Sequence, residues 1–211
     1  MQDILTAINE YCEQHSTPQD EILRQIERAT HLETLSPRML SGHMQGMLLT
    51  LISKMIAPKV ILEIGTFTGY SAVCLAKGLQ SGGKLITIEY NEENAYLAKR
   101  LIDETIFKEQ IDLILGDAKE IIPTIDSTFD LVFIDADKEA YSLYYDLVID
   151  KCRSGSIILA DNILWSGKVL DAKPDKKTAS LMAFNEKIAQ DSRVENVILP
   201  IRDGINLIRK I

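Results

Sequence analysis

The sequence predicts an α/β protein: a mostly parallel, seven-stranded sheet covered by helices on both faces, preceded by a helical segment and closed by an antiparallel C-terminal hairpin strand. Three observations predict it. After Pro58, short β-branched runs alternate with stretches long enough for crossover helices, as a parallel sheet requires. Before Pro58, apolar residues recur at helical spacing. Near the end, Asp203-Gly204 stands between two further strand-like runs and signals a hairpin turn.

In the first helix Ile4, Leu5, Ile8, Tyr11 and Cys12 follow the i, i+3, i+4 rule. Ile22, Leu23, Ile26 and Ala29 repeat it in a second, whose start is expected at Ser16-Thr17-Pro18, with Asp20 and Glu21 at the positive dipole end. A third helix is expected over 44–55, its core stripe being Met44, Met47, Leu48, Leu51, Ile52 and Met55. Strands are predicted at 60–65, 84–90, 111–117, 129–136, 156–162, 195–201 and 205–211, with helices over 71–79, 92–107 and 138–152. The lysine-rich stretch 166–177 reads as a surface loop. One domain suffices for 211 residues: a helical preface over 1–57 and a sheet-based core over 58–211.

With 46% hydrophobic and 26% charged residues, the chain has the composition of an ordinary globular protein, which excludes disorder and low complexity. The formal charge of −8 argues against nucleic acid and anionic membrane as partners. Cys12, Cys74 and Cys152 form neither a disulfide framework nor a zinc motif, and the N-terminal stretch lacks the pattern of a secretory leader. A cytoplasmic setting without a membrane span is the expectation. His15, His31 and His43 have no metal-ligand spacing and read as solvated or capping residues.

In open α/β sheets ligands bind beyond the carboxyl ends of the strands, where strand order reverses. Every unusual cluster of this chain falls at such an end. Gly65-Thr66-Phe67-Thr68-Gly69 lets the backbone turn tightly, but it is neither the G-x-G-x-x-G fingerprint nor a P-loop. Glu89 ends the second strand, where an acid can accept bonds from both ribose hydroxyls of a nucleoside. Asp117 and Ala118 follow the third strand and can bracket a purine edge. Asp135-Ala136-Asp137-Lys138 ends the fourth and Asp161-Asn162 the fifth. If those two strands are neighbours, Asp135, Asp161 and Asn162 converge as hard oxygen ligands suited to Mg²⁺ or Ca²⁺.

These segments, EIGTFTGYS, IDADKEAYSLYY, ADNILWSGKV and RDGINLIRK, with the Ser41 to Leu49 stretch before them, resemble the cation-dependent, S-adenosylmethionine-using O-methyltransferases of the caffeoyl-CoA and catechol type, particularly the small bacterial members. The likeness runs over nearly the whole chain; Ser41-Gly42-His43-Met44-Gln45-Gly46 departs from the commoner Ser-Pro-x-Gln-Gly pattern. It implies a Rossmann-like class I methyltransferase fold. It also implies cofactor contacts from Glu63, Gly65, Thr66, Ser71, Glu89, Asp117, Ala118, Asp135 and Asp137, with Met39 and Ser41 at the methionine end.

By the same resemblance Asp135, Asp161 and Asn162 hold the divalent cation, Mg²⁺ first and Ca²⁺ or Mn²⁺ as alternatives, while Asp135 and Lys138 form the catalytic pair. Lys138 is then the general base toward a catechol-like phenolic acceptor, and a neighbouring cation favours release of the lysine proton. Trp165 and Ser166 wall the acceptor pocket, although Trp165 reads equally as a core aromatic. Tyr141, Tyr144 and Tyr145 read as helix packing. The family usually forms homodimers. Two alternatives stay open on the residues alone: a nucleotide-dependent oxidoreductase and a non-catalytic nucleoside-binding module.

Overall fold

The structure, a computed structural model, describes residues 2–211 apart from the side chains of residues 2, 3 and 5. Leu5, assigned above to an apolar helix face, and Met1 therefore lie outside the description. The preface holds α1 (Gln2–Gln14), α2 (Glu21–Glu33), a 3-10 turn (Pro37–Met39) and α3 (Gly42–Ile56). The core follows as β1 (Val60–Ile64), α4 (Tyr70–Ala76), β2 (Lys84–Glu89), α5 (Glu92–Asp103), β3 (Ile111–Leu115), α6 (Ala118–Thr124) and β4 (Phe129–Ile134). A 3-10 turn (Lys138–Ala140) leads to α7 (Tyr141–Ile149), β5 (Cys152–Asp161), a third 3-10 segment (Trp165–Leu170), α8 (Lys176–Gln190), β6 (Val194–Leu199) and β7 (Ile205–Lys210).

The strands form one sheet of order β3-β2-β1-β4-β5-β7-β6, parallel except for β7, which runs antiparallel to both β5 and β6. Alternate side chains of each central strand enter opposite cores. Leu62, Ile64, Val132 and Ile134 pack with α6, α7 and α8, whereas Ile61, Leu131 and Phe133 pack with α2 to α5. Burial on both faces is why these strands read as continuous apolar runs.

Several local expectations are corrected. The cap of α2 is Asp20, which accepts from the Leu23 N–H, so Ser16-Thr17-Pro18 belongs to the connection and not to the first turn. The α3 stripe is largely on the wrong face: Leu51 and Met55 are exposed, Met44, Met47 and Leu48 are half-buried, and of the predicted stripe only Ile52 is buried. The buried face is Gln45, Gly46, Leu49, Thr50, Ile52 and Ser53, because small residues let α3 lie close on α4 and its hydroxyls reach α4 carbonyls. Two helices were not foreseen: α6 is only seven residues and contains Pro123, and α8 buries just Thr178, Leu181, Phe184 and Ile188. The expected loop over 166–177 is accordingly shorter, since 3-10 structure reaches Leu170 and α8 begins at Lys176. Strand β5 starts earlier than expected, its pairing jumping from Phe129↔Cys152 to Leu131↔Ile157.

The amino edge of the sheet is tied by Asp130, whose buried carboxylate accepts from the N–H groups of Lys59 and Val60 and from the Arg153 guanidinium. Among the described residues no helix is long and apolar enough to cross a membrane.

Candidate active site

The reversal of strand order between β1 and β4 opens a cleft at the carboxyl edge of the sheet, and a cavity of about 1260 Å³ lies there. Its floor is the turn after β1. Gly65 has φ +98°, and a Cβ added to it would stand 2.1 Å from the Asp135 carbonyl oxygen, so only glycine permits β1 and β4 to approach this closely. Glu89 secures the turn from β2: Oε2 accepts from the N–H groups of Thr66 and Phe67, and Oε1 from that of Asn91. Three of roughly four carboxylate acceptor sites are thus used internally. Gly65, Thr66, Ser71, Glu89, Asp117 and Ala118 all line the cavity, as do Met39 and Ser41 from the preface.

Glu63 does not line it. The side chain is fully buried beneath the turn, with Oε2 accepting from Thr87 at 2.6 Å and Oε1 without a hydrogen-bond partner. Burial raises its pKa to about 8, an effect that the hydroxyls of Ser71 and Thr87 offset only in part. Asp117 and Asp137 cap the turns they precede, accepting from the N–H groups of Lys119 and Glu139.

The opposite wall holds the carboxylate cluster. Because Ile134 pairs with Ala160, Asp135 and Asp161 leave the sheet side by side, and both line the cavity with Asn162, Asp137 and Lys138. Asn162 adopts φ +57°, the left-handed region asparagine tolerates. Lys138 is nearly buried, its Nζ donating to Asp135 Oδ1 and to the Tyr141 hydroxyl, each at 2.7 Å. Asp161 is pushed upward in pKa first by burial and then by the charge of Asp135. Among the described residues no group of three or more His, Cys, Asp or Glu is placed to hold a metal; the set at hand is two carboxylates and an amide. That set fits a hard divalent cation by its donor chemistry: its oxygen-bearing side chains line one cavity at neighbouring strand ends, the charge of Asp135 raises the pKa of buried Asp161, and the Lys138 ammonium is paired to Asp135.

The tyrosines need correction. Tyr145 packs as expected, but the Tyr141 hydroxyl, besides receiving the Lys138 proton donor, lies 2.9 Å from the Asp161 carbonyl and 3.2 Å from that of Ile134. Burial, then the charges of Asp135 and Asp161, raise its pKa well above the ordinary range, so it stays a neutral phenol. Tyr144 also lines the cavity. Trp165 is half-buried, packing against the core from its edge while lining the cavity; Ser166 is exposed at the rim, its N–H bonded to Asp203. His15 and His43 bond to the carbonyls of Tyr11 and Thr17 and take no part.

Sequence reasoning missed Gln45, Arg38, Tyr90, Lys177 and Arg202. Gln45 donates to Asp161 from α3, and Arg202 donates to the Leu40 carbonyl, tying the hairpin turn to the segment before α3. Arg38, Tyr90, Lys177 and Arg202 line the cavity. Tyr90, an aromatic directly after Glu89 at a strand end, carried a signal that a sequence reader can use, as did Gln45 and Arg202 by standing in segments that carry the family resemblance.

A seven-stranded sheet of this order, with β7 antiparallel and a cleft at the carboxyl edge, is the architecture of the Rossmann-like methyltransferase class of α/β proteins. Comparison with known proteins makes the assignment specific. The O-methyltransferase family model matches residues 13–211, and the chain belongs to that family. It is 35% identical over 160 residues to a catechol O-methyltransferase of Niastella koreensis, covering 74% of this chain and 72% of that one. It is 34% identical over 180 residues to caffeoyl-CoA O-methyltransferase 1 of Eucalyptus globulus, covering 79% and 73%. A mouse catechol O-methyltransferase domain-containing protein is 35% identical, 79% of this chain covering 66% of its length. Among solved structures, an O-methyltransferase from Bacillus cereus in complex with SAH superposes with a TM-score of 0.93 at 29% identity, over 100% of both chains. The oxidoreductase and the non-catalytic module are not favoured by any of these relatives.

Proposed function

We propose that this protein is an S-adenosylmethionine-dependent O-methyltransferase that needs a divalent cation and methylates one hydroxyl of a small catechol-like acceptor. The observation that carries the reading is the convergence of Asp135, Asp161, Asn162 and Lys138 on one wall of a cleft whose other wall is the Gly65–Glu89–Ala118 cradle. Relatives solved with SAH and with SAM support the cofactor. In this reading Glu89 and the residues after β3 hold the nucleoside, and the acidic wall favours a sulfonium over a neutral ligand.

Asp135, Asp161 and Asn162 would hold the cation. When bound, it supplies positive charge that favours the phenolate form of the acceptor. Lys138 Nζ takes the hydroxyl proton, and its two present partners keep it aimed at the cleft. Trp165 and Tyr144 offer apolar walls for an aromatic ring, and the cleft orients the phenolate for in-line attack on the methyl carbon. No covalent enzyme intermediate is required.

The test is methyl transfer by the purified protein to catechol, flavonoid and caffeoyl-CoA acceptors, with Mg²⁺ and with excess EDTA. Transfer that stops on chelation and returns with Mg²⁺ is expected; full turnover in verified metal-free buffer overturns the cation role. We also propose a homodimer working in the cytoplasm. The exposed Ile4, Ile8 and Tyr11 of α1 and Leu51 and Met55 of α3 supply apolar surface, and all three cysteines are free thiols. A monomer mass by light scattering at micromolar concentration would refute the dimer.

A further inference from the structure

Asp161 is held by more than its own strand. The carboxylate is 3% exposed, and its two oxygens have separate partners: Oδ1 accepts from the Asn162 N–H at 2.7 Å and Oδ2 from Gln45 Nε2 at 2.5 Å. The first partner is the next residue and moves with the strand end. The second comes from α3, 116 positions away in sequence, and Gln45 is itself 1% exposed.

The helix carrying Gln45 has little freedom. Thr50 and Ser53 donate to the carbonyls of Cys74 and Leu75 on α4. Gly46, the next residue, sits so near α4 that a Cβ there would lie 2.7 Å from Tyr70 Cε1 and 2.9 Å from Cys74 Sγ. Gln45 is therefore presented from a clamped backbone.

The choice of an amide also matters. Lysine or arginine at this place would orient the carboxylate but neutralise it, and an aliphatic residue would leave one oxygen of a buried carboxylate unpaired. A neutral donor fixes the direction of Asp161 and leaves its charge available. We infer that Gln45 is a positioning residue that aims Asp161 Oδ2 and thereby sets the affinity of the site for a divalent cation, so that the helical preface is part of the cation site. This rests on the cation reading proposed above.

The experiment uses Mn²⁺ alone as the probe, its binding to the full chain followed by electron paramagnetic resonance, with S-adenosylmethionine affinity from calorimetry and the thermal midpoint recorded beside it. Gln45→Leu removes the donor, and Gln45→Asn keeps an amide but withdraws it by about 1.5 Å. Both are expected to bind Mn²⁺ about 10- to 100-fold more weakly, the cost usual for groups that orient a ligand, with S-adenosylmethionine affinity kept within about twofold. If Gln45→Leu fails to fold, Gln45→Asn decides. Mn²⁺ affinity within twofold of the unaltered protein in a folded variant overturns the role of Gln45, as does an equal loss of cofactor affinity. Absence of Mn²⁺ binding by the unaltered protein overturns the cation reading and this inference together.

Discussion

Replacing Glu63 by glutamine should stabilise the protein at neutral pH while leaving it unchanged in mild acid. The carboxyl is fully buried under the Gly65 turn, one oxygen is unpartnered, and burial moves its pKa from the ordinary 4.5 to about 8. Between those values the folded chain keeps a proton that the unfolded chain has released, so stability falls as pH rises. At about 1.4 kcal/mol per pH unit, the span from 4.5 to pH 7 corresponds to a cost of about 3 kcal/mol in the unaltered protein. Glutamine has the same shape, still accepts from Thr87 through its carbonyl oxygen, and does not titrate. Urea unfolding of both proteins at pH 5, 6, 7 and 8 reads the effect: the two curves should meet near pH 5 and separate upward. Parallel curves over that range would show that Glu63 is not held as a neutral acid, and the reasoning fails.

Two further outcomes follow from the same geometry. Lys138→Ala should retain S-adenosylmethionine affinity by calorimetry and slow single-turnover methyl transfer about 10²-fold or more, since it removes the group proposed above to take the acceptor proton. Asp130→Ala should cost about 2–4 kcal/mol in urea unfolding with kcat unaltered, because two backbone N–H groups and Arg153 lose their acceptor at the edge away from the cleft. At Asp130, burial pushes the pKa up, but bonds from Val60, Arg153 and Lys59 more than offset it, so the net shift is downward. Its contribution is therefore present above the ordinary aspartate value and lost as pH falls through the lowered one.

What could be read from the chain followed burial and chain adjacency. Strands buried on both faces are marked by unbroken β-branched runs, and their carboxyl ends are marked by the first acid or glycine after each run; Gly65, Glu89, Asp117, Asp135 and Asp161 were legible for that reason. Partners distant in sequence were not. Gln45 shows as a polar residue in a helix until Asp161, 116 positions later, is folded against it. Tyr141 reads as packing because its burial is real; its hydroxyl function depends on the Ile134 and Asp161 carbonyls meeting Lys138 at two strand ends. The α3 error has another cause. Hydropathy favours the Met44–Met55 stripe, whereas close approach to α4 favours the smaller Gly46, Thr50 and Ser53, and close approach decided which face is buried.

The two edges of the sheet treat acidic residues in opposite ways. At the amino edge Asp130 is fully partnered, its pKa is lowered, and its charge stabilises the fold. At the carboxyl edge Glu63 is buried with one oxygen unpartnered and Asp161 is buried beside the charge of Asp135, and burial raises both pKa values, so their charged forms cost stability. A fold optimised only for stability would place apolar residues at such positions. The carboxyl edge instead gathers Asp117, Asp135, Asp137 and Asp161 around one cavity, with the Lys138 ammonium paired to Asp135 and that of Lys119 to Asp117. In the function proposed above, a sulfonium and a divalent cation would recover this cost on binding, since each lowers the energy of carboxylates buried with little compensation. The net charge of −8 is therefore informative through its distribution: Asp130 at one edge ties the sheet together, whereas Asp161 at the other is held at a cost that, in the proposed function, a positively charged ligand would offset.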